Sequence, residues 1–142
     1  MRVKIPFELI EIEKSSFHPV INITLKGESY LFVIDTGASR TVIHSELAAQ
    51  FPRIDMGTSE PFAASITAES LPVTMVCIDN LYLGENQFNN IQAFSADLSS
   101  ISSYYETMTG KRLYGLLGCD FMINTKATMN FTKKILTLTR IG

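Results

Sequence analysis

The sequence has no tryptophan, and among its 142 residues there are only two cysteines and two histidines. Cys77 and Cys119 are too few for a fold that depends on several disulfides. Together with the histidines they show none of the spacings that are typical of metal ligands. We therefore interpret both as buried free thiols, and we expect neither a metal ion nor another cofactor.

The chain also lacks an excess of charge of one sign and a long apolar run. Its formal net charge is −2, so no basic field indicates binding to nucleic acid or to an anionic membrane surface. Its apolar runs are far shorter than the roughly 20 residues that span a bilayer. Proline and glutamates, rather than an apolar stretch, follow residues 1–4. We therefore expect a cytoplasmic protein, unless a signal sequence has been removed.

What the chain does have is an apolar fraction of 46% and a charged fraction of 18%, which is the composition of a folded protein. The length is most simply that of a single domain spanning residues 1–142. Short alternating segments separated by turn residues predict a mostly β fold. The predicted strands lie at 3–13, 18–25, 30–34, 41–43, 71–78, 81–83, 87–94, 114–120, 127–131 and 135–140.

Three segments have helical character. Apolar residues at helical spacing predict a helix over 97–109, with Tyr104 and Tyr105 packing on the domain and Gly110 ending it. Brief helices are expected at 46–50 and at 121–124, the second capped by Asp120. His18 and His44 have no evident role.

One carboxylate stands out. Leu31–Ile34 forms an apolar run that predicts a strand buried on both faces, and Asp35 follows it directly. A charge at the end of a buried strand is unfavourable unless it is hydrogen-bonded or paired. Asp35 is therefore either a turn residue bonded to its own loop or one member of a functional pair.

The segment Asp35-Thr36-Gly37-Ala38-Ser39 after an apolar strand, and Leu116-Leu117-Gly118 much later in the chain, resemble two signatures of the retropepsin-like aspartic proteases. The order of the strands, with a hairpin near 62–68, also resembles that family, and the hairpin from His18 to Ser39 resembles the opening of its bacterial single-domain members. The resemblance spans roughly residues 15–140. It implies an all-β, retropepsin-like closed β-barrel with one or two short helices.

The resemblance also implies roles for individual residues. Asp35 would be catalytic, the Thr36 hydroxyl would bond to the partner loop, and Ser39 would orient the outer oxygen of Asp35. Gly37 and Ala38 would complete the loop, with the Leu116-Leu117-Gly118 segment packed behind it. The flap residues that would cover the substrate are Ala63, Ala64, Ser65 and Ile66.

Peptide hydrolysis by aspartates needs two carboxylates that share one proton. No second Asp-Thr-Gly occurs, because Asp55, Asp79, Asp97 and Asp120 all lie in other contexts. We therefore expect a homodimer in which each subunit gives one Asp35. Its function would be that of an aspartic endopeptidase acting on peptide or protein substrates. The segments 3–12 and 135–140 are the candidates for an intersubunit sheet.

A second hypothesis stays open. A retropepsin-like domain could bind peptides or mediate assembly while cleaving slowly or not at all, since a fold does not by itself imply an activity. Cleavage assays with Asp35→Asn as the control would separate the two hypotheses.

Overall fold

The chain folds mainly into short strands. A computed structural model describes residues 1–54 and 74–140. The strands in these ranges are β1 (Arg2–Pro6), β2 (Glu8–Glu13), β3 (Ser16–Leu25), β4 (Glu28–Ile34), β5 (Val42–His44), β6 (Arg53–Ile54), β7 (Thr74–Ile78), β8 (Leu81–Leu83), β9 (Asn86–Phe88), β10 (Ile91–Ala96), β11 (Leu113–Leu117), β12 (Thr128–Asn130) and β13 (Ile135–Thr139). The helices are α1 (Ser45–Ala48), α2 (Ser99–Thr109) and α3 (Cys119–Asn124).

The larger sheet has the strand order β6-β7-β10-β5-β11-β4-β3-β8-β9, with β2 paired to β3 beside this path. The sheet curls into a half-barrel. Within the described ranges its end strands, β6 and β9, are not paired with each other. The expected all-β class is confirmed. The described ranges contain three helices, one more than the one or two expected, and each lies where helix was predicted.

The hairpin of β3 and β4 delivers the Asp35 loop. Lys26 and Gly27 connect the strands with φ angles of 51° and 83°, as in the two-residue turns that match the twist of a hairpin. All four residues of Leu31–Ile34 are buried, as the apolar run predicts. Phe32 and Ile34 face the main core, whereas Leu31 and Val33 face a second cluster on the other side of the sheet.

Strand β11 lies between the two strands that flank the Asp35 loop. It runs parallel to β4, with Leu117 opposite Ile34, and antiparallel to β5, with Leu116 opposite Val42. Its Gly115 is required by this insertion, because a Cβ there would contact the Phe32 ring and lie 2.6 Å from the Val42 carbonyl oxygen. The strand therefore joins both ends of the loop to the sheet.

Helix α2 covers the second cluster. Its buried side chains are Ser102 and Tyr105, and Tyr105 packs with Val20, Val33 and Leu113. The helix begins at Ser99 rather than at 97, and Gly110 ends it with a φ of 79°, as predicted. The prediction that Tyr104 packs inward is wrong, because this side chain is 42% exposed and its hydroxyl donates to Glu13.

His44 has a structural role that the sequence did not indicate. It is buried, and its Nδ1 accepts a hydrogen bond from Leu98 N at 3.0 Å. The end of β5 thereby holds the residue that precedes α2. No sequence pattern marks this contact, because the two residues lie far apart in the chain.

The terminal strands form a separate sheet in the order β1-β13-β12. The predicted N-terminal strand breaks after Pro6, since β1 pairs with β13 whereas β2 pairs with β3. β13 is paired on both sides within its own chain, and Leu136 and Leu138 are fully buried. It therefore offers no free edge, and its proposed place in an intersubunit sheet is wrong; the outer edge of β1 remains a candidate.

In the described ranges no helix is both long and apolar enough to cross a membrane.

Replacement of Gly115 by alanine should destabilise the fold by about 3 kcal/mol, because overpacking a strand between two others forces the backbone apart. Gly27→Ala is the matched control. Its Cβ would meet no atom within 4 Å, so only the strain of its positive φ, roughly 1 kcal/mol, is expected. Urea unfolding of both variants measures the difference. Equal losses would contradict a steric role for Gly115.

Candidate active site

Asp35 lies just beyond the end of β4. Its backbone N–H donates to Leu117 O at 2.9 Å, and its carbonyl accepts from Ala38 N at 3.1 Å. Its side-chain Oδ1 accepts a hydrogen bond from Gly37 N at 2.9 Å. The other oxygen, Oδ2, accepts no hydrogen bond from the described part of the chain. Asp35 is thus bonded to its own loop through one oxygen only, and the second is free to bind another group.

The loop after Asp35 is anchored from behind by the start of α3. Cys119 donates from its backbone N to Ala38 O at 2.8 Å and from Sγ to Thr36 O at 3.0 Å. The carbonyl of Ser39 accepts from Asp120 N at 3.3 Å. The three contacts fix the backbone of the loop, so that the side chains of Thr36 and Ser39 remain on the exposed side.

The structure brings together the expected residues of the Asp35 loop and of the Leu116-Leu117-Gly118 segment, but the contact expected of Ser39 is different. Ser39 makes no hydrogen bond to Asp35 within the described residues. The N–H of Gly37 orients the carboxylate instead, and a Cβ at Gly37 would lie 3.2 Å from Oδ1. Glycine at this position lets the carboxylate fold back onto the loop.

The Leu116-Leu117-Gly118 segment packs against the loop in three different ways. Leu117 is fully buried in the main core, whereas Leu116 packs on the second cluster and lines the groove beside Asp35. A Cβ on Gly118 would lie 2.5 Å from the carbonyl carbon of Arg40. Only glycine allows the two backbones to approach so closely.

A second polar contact, between Thr41 and Asp120, joins the same elements. Asp120 Oδ1 accepts hydrogen bonds from Thr41 N at 2.9 Å, from Thr41 Oγ1 at 2.8 Å and from Phe121 N at 2.8 Å. The Thr41 hydroxyl in turn accepts from Gly118 N at 3.1 Å. Asp120 was expected to cap α3, but Gly118 is the N-cap and Asp120 lies inside the first turn. Its carboxylate instead links the loop, β11 and α3.

Asp35 opens onto a groove of about 490 Å³. Most of the lining is apolar, and several of the lining side chains are well exposed, among them Phe17, Ile101 and Phe131. Among the described residues, the other polar side chains of the lining are Thr36, His18 and Tyr105. The groove can therefore hold an extended chain with apolar side chains next to a carboxylate.

Tyr105 and His18 were not predicted as site residues. Tyr105 is 1% exposed, and its hydroxyl forms a hydrogen bond with His18 Nδ1. Burial, and then the negative charges of Asp35 and Tyr104, raise the pKa of Tyr105 to about 12. The sequence could have indicated the location of His18, because it lies on the strand that pairs with the strand before Asp35, but not its contact with α2.

The flap residues Ala63, Ala64, Ser65 and Ile66 lie outside the described residues. In the ranges 1–54 and 74–140, no three His, Cys, Asp or Glu side chains are grouped so that they could hold a metal ion.

Comparisons with known proteins agree with this geometry. A family model described as aspartyl protease matches residues 21–121, and the chain belongs to that family. Its structure is similar to that of a retropepsin-like aspartic protease from Rickettsia conorii, with a TM-score of 0.51 and 18% sequence identity over 99% of this chain and 90% of that chain. At this identity the likeness shows the fold, and it confirms the retropepsin-like architecture. A search of curated proteins found no match.

Replacement of Asp120 by alanine should destabilise the protein by about 2–3 kcal/mol, because three donors lose their acceptor. Asp120→Asn keeps an acceptor oxygen and should lose less than half of this. Thermal or urea unfolding of the two variants provides the measurement. A loss in Asp120→Ala no larger than in Asp120→Asn would contradict the assigned link.

The raised pKa of Tyr105 predicts a loss of stability in alkali. The phenol ionises near pH 10 in an unfolded chain but near pH 12 in the folded protein. Its contribution is therefore complete below pH 10 and is lost as the pH rises toward 12, because unfolding then releases a proton. Between pH 10 and 12 the free energy of unfolding should fall less steeply with pH in Tyr105→Phe than in the wild type. The difference in slope should correspond to at most one proton released on unfolding. Between pH 8 and 9 the wild type and the variant should show parallel pH profiles. Parallel profiles above pH 10 as well would contradict the prediction.

Proposed function

We propose that the protein is a homodimeric aspartic endopeptidase in which two Asp35 carboxylates, one from each subunit, form the catalytic pair. The observation that supports this most directly is the state of the Asp35 side chain. Its Oδ1 is held by Gly37 N, its Oδ2 accepts no hydrogen bond from the described residues, and the residue lines a groove. A carboxylate so placed has room for a second carboxylate and for a water molecule.

The chemistry would follow from the pairing. Two carboxylates that lie close together retain one shared proton, because both cannot be ionised at that distance. The ionised carboxylate removes a proton from a water molecule while the oxygen of that water bonds to the carbonyl carbon of the scissile peptide. The protonated carboxyl group donates its proton to the carbonyl oxygen. Transfer of a proton to the nitrogen then lets the C–N bond break. The apparent pKa values of this reaction would belong to the pair.

The remaining site residues would support the pair. Thr36 is exposed on the loop, where its hydroxyl could reach the loop of the second subunit, and Ala38 and Ser39 would hold the loop through their carbonyls. Leu116, Leu117 and Gly118 would form the rigid wall behind Asp35. A rigid wall matters because paired carboxylates must be held within a few tenths of an ångström of the productive geometry. The covering role of Ala63, Ala64, Ser65 and Ile66 stays a prediction.

The proposal predicts the behaviour of Asp35→Asn. This variant should keep its fold while its cleavage of an unfolded protein falls by about 100-fold or more between pH 3 and pH 8, since the acid–base group is lost. Asp79→Asn is the matched control: Asp79 is exposed and accepts from Asn90 N at 2.8 Å, and its replacement should leave cleavage unchanged. Cleavage by Asp35→Asn at the wild-type rate would overturn the proposal and leave a peptide-binding domain as the alternative.

The dimer requirement is tested by mixing subunits. A small amount of wild type is mixed with an excess of Asp35→Asn, so that most wild-type chains form mixed dimers. Since each site needs two Asp35 residues, activity should fall below that of the same wild type alone, while excess Asp79→Asn should not lower it. Sedimentation should show dimers at the assay concentration. An active species that sediments as a monomer would exclude the shared site.

A further inference from the structure

The register of the β3–β4 hairpin, continued two residues beyond its last pair, places His18 opposite Asp35. Val20 pairs with Val33 in this antiparallel hairpin. His18 lies two residues before Val20, and Asp35 lies two residues after Val33. In an antiparallel pair these two positions are opposite each other. Residues that face each other in this way lie on the same side of a sheet and within side-chain reach. Consistent with this, both His18 and Asp35 line the same groove.

The imidazole of His18 is held from behind by α2. Tyr105 projects from this helix into the second cluster, where it is 1% exposed, and its hydroxyl bonds to His18 Nδ1. The two rings are 5.6 Å apart and tilted by 55°. A buried tyrosine fixed by apolar neighbours restricts the orientation of the histidine that it contacts.

The hydrogen bond between the Tyr105 hydroxyl and His18 Nδ1 also determines that Nε2 is the donor nitrogen of the imidazole. A buried phenol must give its proton to an acceptor, and within the described residues His18 Nδ1 is the acceptor that the Tyr105 hydroxyl reaches. Burial and the nearby Asp35 carboxylate keep this phenol protonated, since they raise its pKa. When Nδ1 accepts, the neutral imidazole carries its own proton on Nε2.

His18 Nε2 has no partner in the described part of the chain. The side chain is half-buried, and apart from Asp35, Thr36 and Tyr105 the other described residues that line the groove are apolar. A donor in such a wall binds an acceptor more strongly than it would in water, and a ligand without an acceptor would leave it unsatisfied. The groove therefore favours a ligand that places an oxygen acceptor next to His18 Nε2.

We propose that His18 is a specificity-determining residue, which donates a hydrogen bond from Nε2 to an oxygen acceptor of the peptide substrate beside the scissile bond. Tyr105 is the positioning residue that orients its ring. This inference rests on the proposed peptidase function. The acceptor is either the side chain of a Glu or Gln residue of the substrate or a backbone carbonyl, and the two sources give different results below.

The test uses peptides in which a hydroxyethylene group replaces the scissile amide, so that binding is measured without cleavage. Three matched peptides carry Glu, Gln or Leu next to this group, each placed on either side in turn. Their dissociation constants are measured for the wild type, His18→Phe, His18→Gln, Tyr105→Phe and Tyr104→Phe. Tyr104 is the matched control, because its hydroxyl bonds to Glu13 on the outer surface and not to His18.

If the acceptor is a side chain, the wild type should bind the Glu or Gln peptide about fivefold to tenfold more tightly than the Leu peptide, the range of a single hydrogen bond. His18→Phe should abolish this preference, His18→Gln should retain part of it, and Tyr105→Phe should weaken it. If the acceptor is a backbone carbonyl, His18→Phe should weaken the binding of all three peptides alike. Tyr104→Phe should match the wild type in both cases.

Cleavable versions of the peptides give a second measurement. Loss of the Tyr105 hydroxyl should raise KM and leave kcat within about twofold, because the hydrogen bond is made equally in the ground state and in the transition state. The double variant His18→Phe/Tyr105→Phe removes both polar partners, and so it separates loss of the donor from a buried unpaired hydroxyl in the single variant.

The inference is overturned if His18→Phe binds every peptide as the wild type does, if Tyr105→Phe and Tyr104→Phe behave alike, or if the wild type binds none of the peptides. These outcomes differ from failure of the proposed function. Wild type that binds the peptides with the expected preference but cleaves none of their cleavable versions would overturn the peptidase proposal and support the role of His18.

Discussion

The insertion of β11 between β4 and β5 is the constraint on which the rest of the site depends. It joins strands on both sides of the Asp35 loop, and a hydrogen bond from Asp35 N to Leu117 O fixes the point where the loop begins. Two glycines make the insertion possible, since Gly115 and Gly118 both lie where a Cβ would meet backbone atoms. The loop can thus be exposed at its tip and rigid at its base.

A polar contact then secures the same region from the other side. The carboxylate of Asp120 accepts from both the backbone and the hydroxyl of Thr41, which lies just beyond the loop. An acceptor of several hydrogen bonds in a half-buried position holds its donors more firmly than neutral pairs would. The two aspartates differ in how many donors their own chain supplies. Among the described residues, Asp120 Oδ1 accepts three hydrogen bonds, whereas Asp35 Oδ1 accepts one.

Local patterns predicted the elements that depend on local chemistry. The apolar run before Asp35 and the end of α2 at Gly110 are each set by side-chain pattern or backbone conformation, so the sequence alone was sufficient. The family resemblance added the pairing of the Asp35 loop with the Leu116-Leu117-Gly118 segment. The fold class and the place of the loop were thus accessible without coordinates.

Contacts between distant segments were not accessible in this way. His18 and Tyr105 meet because a helix crosses the outer face of the hairpin, and no spacing in the sequence encodes that crossing. The face of α2 was predicted only in part for a related reason: Tyr105 packs inward as expected, whereas Tyr104 is exposed and Ser102 is buried in its place. The terminal strands were predicted correctly as strands, but their mutual pairing within one chain depends on long-range register.

That pairing has its own consequence. A chain whose strands β1 and β13 pair with each other can complete its core without a second copy. If two copies form the site as proposed, folding and association would be separate equilibria. The abundance of the chain, rather than its stability, would then set how many complete sites exist.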